Sequence, residues 1–237
     1  MRVLILSVTA GYGHHATAKA IGDMLTSKGA EVHTLDVYAY ISNLIKNTID
    51  KGYLFSSKHM QTLYRLVYQL AENNGASYFS SAPSIINIIN ALGASKFAKV
   101  LAGYAPDVII CTHIFAAQMV DELKKRKKLD DITTIGIVTD YTLHPYWEDV
   151  PRVQYIVTAS ELLTFRCVKR GIPERRILPF GIPVHPKFNQ TLSRQDAAAQ
   201  LGIDPNMRTL LLMGGSMGYA DHVKILEKLT SIGIPLQ

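Results

Sequence analysis

Cysteine is scarce: Cys111 and Cys167 are the only two in 237 residues. Two thiols make no disulfide framework, which points to a reducing compartment. No run approaches the roughly 18 to 20 apolar residues needed to span a bilayer, so a soluble or peripheral chain is expected. The opening RVLILSV is apolar but short, and glycines and a helical pattern follow it where a leader would need a small-residue cleavage site. It reads as a first β-strand. Acidic residues are outnumbered, 19 against 25 lysines and arginines, and the net charge of +6 favours an anionic partner. Repeats of solenoid period, low-complexity tracts, metal-ligand spacings and recognised nucleic-acid motifs are all missing, so neither a metal nor a nucleic-acid partner is expected. What remains is a chain 48% hydrophobic, ample for a sizeable core.

That hydrophobicity is organised. Apolar, β-branched runs at Val3–Val8, Glu31–Leu35, Asp107–Cys111, Thr133–Val138, Tyr155–Thr158, Ile177–Phe180 and Thr209–Met213 read as strands. Between them, helical patterns run over His15–Lys28, Thr62–Glu72, Pro83–Gly103, Ala116–Lys128, Glu161–Arg170 and Asp221–Leu229. Near-continuous apolar strands alternating with helices predict a parallel α/β sheet covered on both faces. The cationic run Lys124–Lys128 fits a solvated helix C-terminus, where cations suit the dipole, with a phosphate or membrane contact as the alternative. A polar stretch after FGIPVHPKF, followed by Ser193-x-x-Asp196 as a helix cap, places a domain boundary close to residue 190.

Ligands of parallel α/β sheets bind beyond the carboxyl ends of the strands. Those ends carry Gly11-Tyr12-Gly13-His14, Asp36, Thr112-His113, Thr139-Asp140 and Ser160. Gly11-x-Gly13-x-x-Ala16, with Asp36 closing the second strand, formally matches a dinucleotide fingerprint, which leaves an NAD(P)-dependent oxidoreductase open. Against it stands His14 at the predicted helix start, where backbone N–H groups and the dipole disfavour an imidazolium. A neutral imidazole there suits a general base. His15 reads as an exposed helix residue. His113 and Asp140 read as a strand-end network, structural or orienting. A second loop, Met213-Gly214-Gly215-Ser216-Met217-Gly218, offers small residues and a helix N-terminus to a diphosphate, but lacks the Lys-Ser/Thr of a P-loop.

SVTAGYGHHATAKAI, DVIICTHIFAAQ, VTDYTLHPYW, PFGIPVHPKF and LLMGGSMG, in this order, resemble the monogalactosyldiacylglycerol synthase and processive diacylglycerol glucosyltransferase group. These are glycosyltransferase family 28 enzymes of GT-B fold. The resemblance implies an N-terminal Rossmann-like acceptor domain over residues 1–190, binding diacylglycerol. Residues 191–237 would be the first strand, loop and helix of a second Rossmann-like domain for the nucleotide sugar. It implies inverting hexose transfer from a UDP-sugar, with no cofactor and no metal. The resemblance puts Gly11, Gly13 and His14 beside the acceptor and the transferred sugar and lines the cleft with Thr139, Asp140, His144 and Trp147. From its place at the helix start His14 is the expected catalytic base, with Asp140 the alternative and His113 also in the cleft. Gly214, Gly215, Ser216 and Gly218 face the UDP diphosphate.

The family's later motifs for uracil, ribose and sugar hydroxyls have no counterpart here. A C-terminally truncated chain, inactive alone, is therefore the expectation. Tyr38–Leu70 interleaves tyrosines and aliphatics with Lys46, Lys51, Lys58 and Arg65. That mixture suits an anionic membrane surface, with ordinary packing on the sheet as the alternative. The implied location is cytoplasmic and peripheral, on the inner face of the cell membrane. A non-catalytic membrane-binding module is the remaining alternative.

Overall fold

The computed structural model describes residues 1–9, 12–37, 39–40, 97–214, 221–231 and 233–237. The helices expected at Thr62–Glu72 and over most of Pro83–Gly103, and nearly all of Tyr38–Leu70, lie outside the described residues. The chain divides into two compact units, Met1–Val184 and His185–Gln237.

The first unit is a six-stranded, wholly parallel sheet. Its strands are β1 (Arg2–Ser7), β2 (Glu31–Asp36), β3 (Val108–Cys111), β4 (Thr133–Ile137), β5 (Tyr155–Val157) and β6 (Ile177–Leu178), in the order β2-β1-β3-β4-β5-β6. The α/β expectation holds, and six of the seven expected strands form within a residue or two of their predicted limits. The order reverses between β1 and β3. A crevice outside the strand ends opens at such a switch point.

Side chains alternate across the pleat. Leu4, Leu6 and Val8 enter one core with Ile109, Cys111 and Ile156, while Val3 and Ile5 enter the other with Ile110, Ile137 and Val157. Helix α1 (Tyr12–Ser27) covers the smaller cluster through Ala18. Helix α2 (Ile114–Lys125) buries Ala116, Ala117, Met119, Val120 and Leu123 in the larger one, beside Phe97 and Leu101 of the helical residues 97–104. Helix α3 (Leu162–Lys169) adds Leu163 and Cys167. The basic run closes α2: Arg126 is its C-cap, Lys127 turns at φ 53, and Glu122 pairs with Lys125 and Arg126.

Two features fix the segment after β4. Gly136 leaves the space that the Trp147 indole fills, since a Cβ there would lie 2.5 Å from its Cζ3. Trp147 sits in a short 3-10 helix, Pro145–Asp149. Asp121 on α2 is buried and accepts from the Arg152 backbone N–H at 2.6 Å and from its guanidinium at 2.9 Å. Arg176 donates to the carbonyls of Val150 and Val153. Together these bonds tie Val150–Gln154 to α2 and to the approach of β6.

The second unit contains α4 (Arg194–Leu201) and α5 (His222–Thr230). Ser193 caps α4 by accepting from the Asp196 N–H, as its spacing predicts. Residues 209–213 do not form the expected strand. A strand needs a ladder, and here a single parallel bridge joins Arg208 to Leu236, with Leu211 and Met213 exposed.

Candidate functional site

The strand ends named from sequence converge as the topology requires. His14 lies in the first turn of α1, directly above the switch point. Its Nδ1 is 2.8 Å from the carbonyl oxygen of Thr112, which follows β3, and 2.9 Å from Oγ1 of Thr139, which follows β4. A carbonyl oxygen only accepts, so Nδ1 carries the hydrogen of the neutral ring and the lone pair resides on Nε2. The Thr112 carbonyl is itself fixed. Its residue is fully buried and its N–H donates to Leu6 O at 3.0 Å.

His113 packs its ring against His14, with centroids 4.5 Å apart and planes at 78°. It is buried, and its Nδ1 accepts from the Phe115 N–H at 3.1 Å, capping α2. Burial, helped by the neighbouring His14 and His144, holds its pKa well below 6.5. His113 is therefore a neutral wall for His14. The His14 pKa is also lowered, and burial is the largest cause; the Thr112 carbonyl and the Asp140 charge pull it back up, and His15 lowers it. Desolvation thus favours the neutral ring, the same direction as the expectation from the helix N-terminus. Asp140 is exposed and acts on His14 through its charge.

The other predicted residues divide. Gly13 is exposed, and among the described residues a Cβ there would meet nothing within 4 Å. His144 caps the Pro145–Asp149 helix through its Nδ1, 3.3 Å from the Tyr146 N–H. Trp147, expected to line the cleft, is instead a core side chain, 4% exposed and packed on Gly136. A tryptophan after a polar strand end looks like a ligand wall in sequence; the glycine eleven residues earlier, inside β4, is the signal that it points inward. Gly214 is described, whereas Gly11, Gly215, Ser216 and Gly218 lie outside the described residues.

Sequence reasoning missed a second anchor. His15 is no idle surface residue. Its Nε2 lies 3.0 Å from Thr9 Oγ1 and 3.3 Å from Asp36 Oδ2, while Thr9 also donates to Asp36. Asp36 further accepts from the Ala39 N–H at 3.0 Å. Consecutive helical residues diverge by about 100°, so His14 reaches toward β3 and β4 while His15 reaches toward β2. Asp36, the acid required by the dinucleotide alternative, is engaged in this cluster, and that alternative is not favoured. Among the described residues no His, Cys, Asp and Glu grouping suits a metal ion.

A parallel sheet with a histidine turn at its switch point defines a Rossmann-like α/β domain of the GT-B type. A solved UDP-GlcNAc 2-epimerase from Neisseria meningitidis, bound to UDP-GlcNAc, shares this fold (TM-score 0.51, 13% identity, covering 100% of this chain and 66% of that one). Residues 14–184 match the family described as Monogalactosyldiacylglycerol (MGDG) synthase, and the chain belongs to that family. Monogalactosyldiacylglycerol synthase 2 of Arabidopsis thaliana is 29% identical, over 95% of this chain and 49% of its own length. The processive diacylglycerol beta-glucosyltransferase of Bacillus pumilus is 27% identical, over 95% of this chain and 56% of its own. The chain spans about half the length of these curated relatives.

Proposed function

We propose that this chain supplies the acceptor side of a glycosyltransferase that moves a hexose from a UDP-sugar to diacylglycerol or a glycosyl-diacylglycerol. The observation that carries the reading is His14, a neutral imidazole bonded to a buried carbonyl through Nδ1, at the switch point of a family-matched sheet. The acceptor hydroxyl gives its proton to His14 Nε2 as its oxygen attacks the anomeric carbon. The bond from that carbon to the diphosphate oxygen breaks, and its electron pair leaves with UDP. Attack opposite the leaving group inverts the anomeric centre. The imidazolium formed is stabilised by the Thr112 carbonyl and by the Asp140 charge. Backbone N–H groups of the Gly214–Gly218 loop are assigned to the departing diphosphate.

A lipid acceptor fits the surroundings. Tyr12, Tyr141, Phe165 and Phe180 are each at least 74% exposed. They follow the carboxyl ends of β1, β4, β5 and β6, the same edge of the sheet as His14. The described helices include none long and apolar enough to cross a membrane, and we assign the bilayer contact to Tyr38–Leu70.

The test is transfer of labelled hexose from UDP-hexose to diacylglycerol, in a form of the relatives' length that carries these residues. His14→Ala should lower kcat by roughly two to four orders of magnitude, the usual weight of a general base. UDP affinity should hardly change. Intact turnover with lost nucleotide binding would refute the assignment. Residues 1–237 alone are expected to show no transfer.

A further inference from the structure

We propose that Thr139 is a positioning residue for His14: its hydroxyl oxygen and the Thr112 carbonyl together hold the imidazole as the Nδ1–H tautomer and share the charge when the ring is protonated. The inference rests on His14 serving as the base. Two oxygens stand within hydrogen-bond distance of one ring nitrogen, at 2.8 and 2.9 Å, and they come from different strand ends. The carbonyl dictates that Nδ1 donates. Thr139 Oγ1 must then accept from the same N–H, with its own hydrogen directed away from the ring.

The arrangement has a use. A single backbone carbonyl leaves the ring free to pivot about one bond, whereas a second acceptor just beyond β4 fixes its plane, with the His113 ring as the third contact. The Nε2 lone pair then keeps one direction. On protonation, the N–H donated to both oxygens becomes a charge-assisted bond, stronger than its neutral form. Thr139 thus adds to the proton affinity that burial and His15 reduce and that Thr112 and Asp140 raise. The other titratable neighbours are His113, from the start of α2, and His144, which acts on His113.

The experiment is a two-bond 1H–15N correlation titration of the histidine-labelled chain, which needs no activity. In the wild type, above the pKa of His14, its Nδ1 should be protonated and its Nε2 bare. Thr139→Val keeps the shape and removes the acceptor. His14 should then titrate about one pH unit lower, a tenfold weaker proton affinity, while Thr139→Ser restores the wild-type curve. Trp147 fluorescence confirms that each variant is folded. A proton on Nε2 in the wild type, an unmoved titration in Thr139→Val, or a serine variant that behaves like valine would each overturn the proposal. Absent sugar transfer in a form of the relatives' length, together with the expected titration, would instead sink the glycosyltransferase reading and leave the hold of Thr139 on the His14 ring standing.

Discussion

Adding one methyl group to β4 is the sharpest probe of how the site is supported. In Gly136→Ala the new Cβ would lie 2.5 Å from Trp147 Cζ3 and 3.0 Å from Cη2. Carbon atoms in good contact are about 3.5 to 4.0 Å apart, so the indole must retreat by about 1 Å or β4 must bend. Neither gives easily. Trp147 N–H donates to the His144 carbonyl at 3.1 Å, and the chain after it is held by Asp121 and Arg176. β4 is paired on both edges, to β3 and β5. Overpacking of this kind costs about 1 to 3 kcal/mol, and the rigid surroundings place it toward the upper end. Gly136→Val should cost more. Gly103→Ala is the control, because among the described residues a Cβ there meets nothing within 4 Å. Trp147 is the only tryptophan, so its fluorescence in a urea titration reports the first unit alone. The midpoint should fall with the slope unchanged. A Gly136→Ala unfolding free energy within about 0.5 kcal/mol of wild type, the ordinary range of a harmless surface change, would refute the packing argument.

Two further outcomes follow from the histidines and from the basic segment. His113 has a folded-state pKa well below 6.5, so the unfolded chain binds its proton first as pH falls, and stability should drop on acidification below that value. One such group gives a slope approaching about 1.4 kcal/mol per pH unit between its unfolded and folded pKa values. His14 contributes with the same sign. Urea midpoints between pH 7.5 and 5.5 measure it, and His113→Asn, which keeps a capping oxygen, should flatten the fall. An undiminished slope in that variant would show that His113 is not the source. Separately, the chain should co-sediment with anionic vesicles and be released by salt. Equal binding after Lys46, Lys51 and Lys58 are all changed to Glu would remove the electrostatic role of Tyr38–Leu70.

Much of this molecule is legible in its sequence because near-continuous apolar runs, buried on both faces of a parallel sheet, are nearly unmistakable. Val3 to Val8 is buried throughout, and reading off the strand ends brought His14, Thr112 and Thr139 together across separations of 98 and 125 residues. The misses have physical reasons. Helix α1 begins at Tyr12, not His15, because a glycine weakens a helix without breaking it, and Gly13 hid the first turn from the sequence pattern. Residues 209–213 have strand composition, yet β-structure depends on partners and not on propensity. Trp147 could not be told from a ligand wall without the hole at Gly136. The Thr9–His15–Asp36 cluster joins three segments through side chains alone, and no local pattern announces it.

The paired histidines also make the first turn of α1 a gauge of helix length. His14 is held toward β3 and β4, and His15 toward β2, so that turn is tethered on two sides at once. Inserting or deleting one residue between His15 and Ala18 would rotate the turn by about 100° against the part of the helix packed on the sheet and slacken both tethers together. The exposed Ala16 should therefore accept many side chains, while the stretch keeps only one length. Substitution and indel tolerance, which usually rise together at exposed positions, would separate here, and a scan of both kinds at Ala16 would read the phase of the helix directly from the genetics.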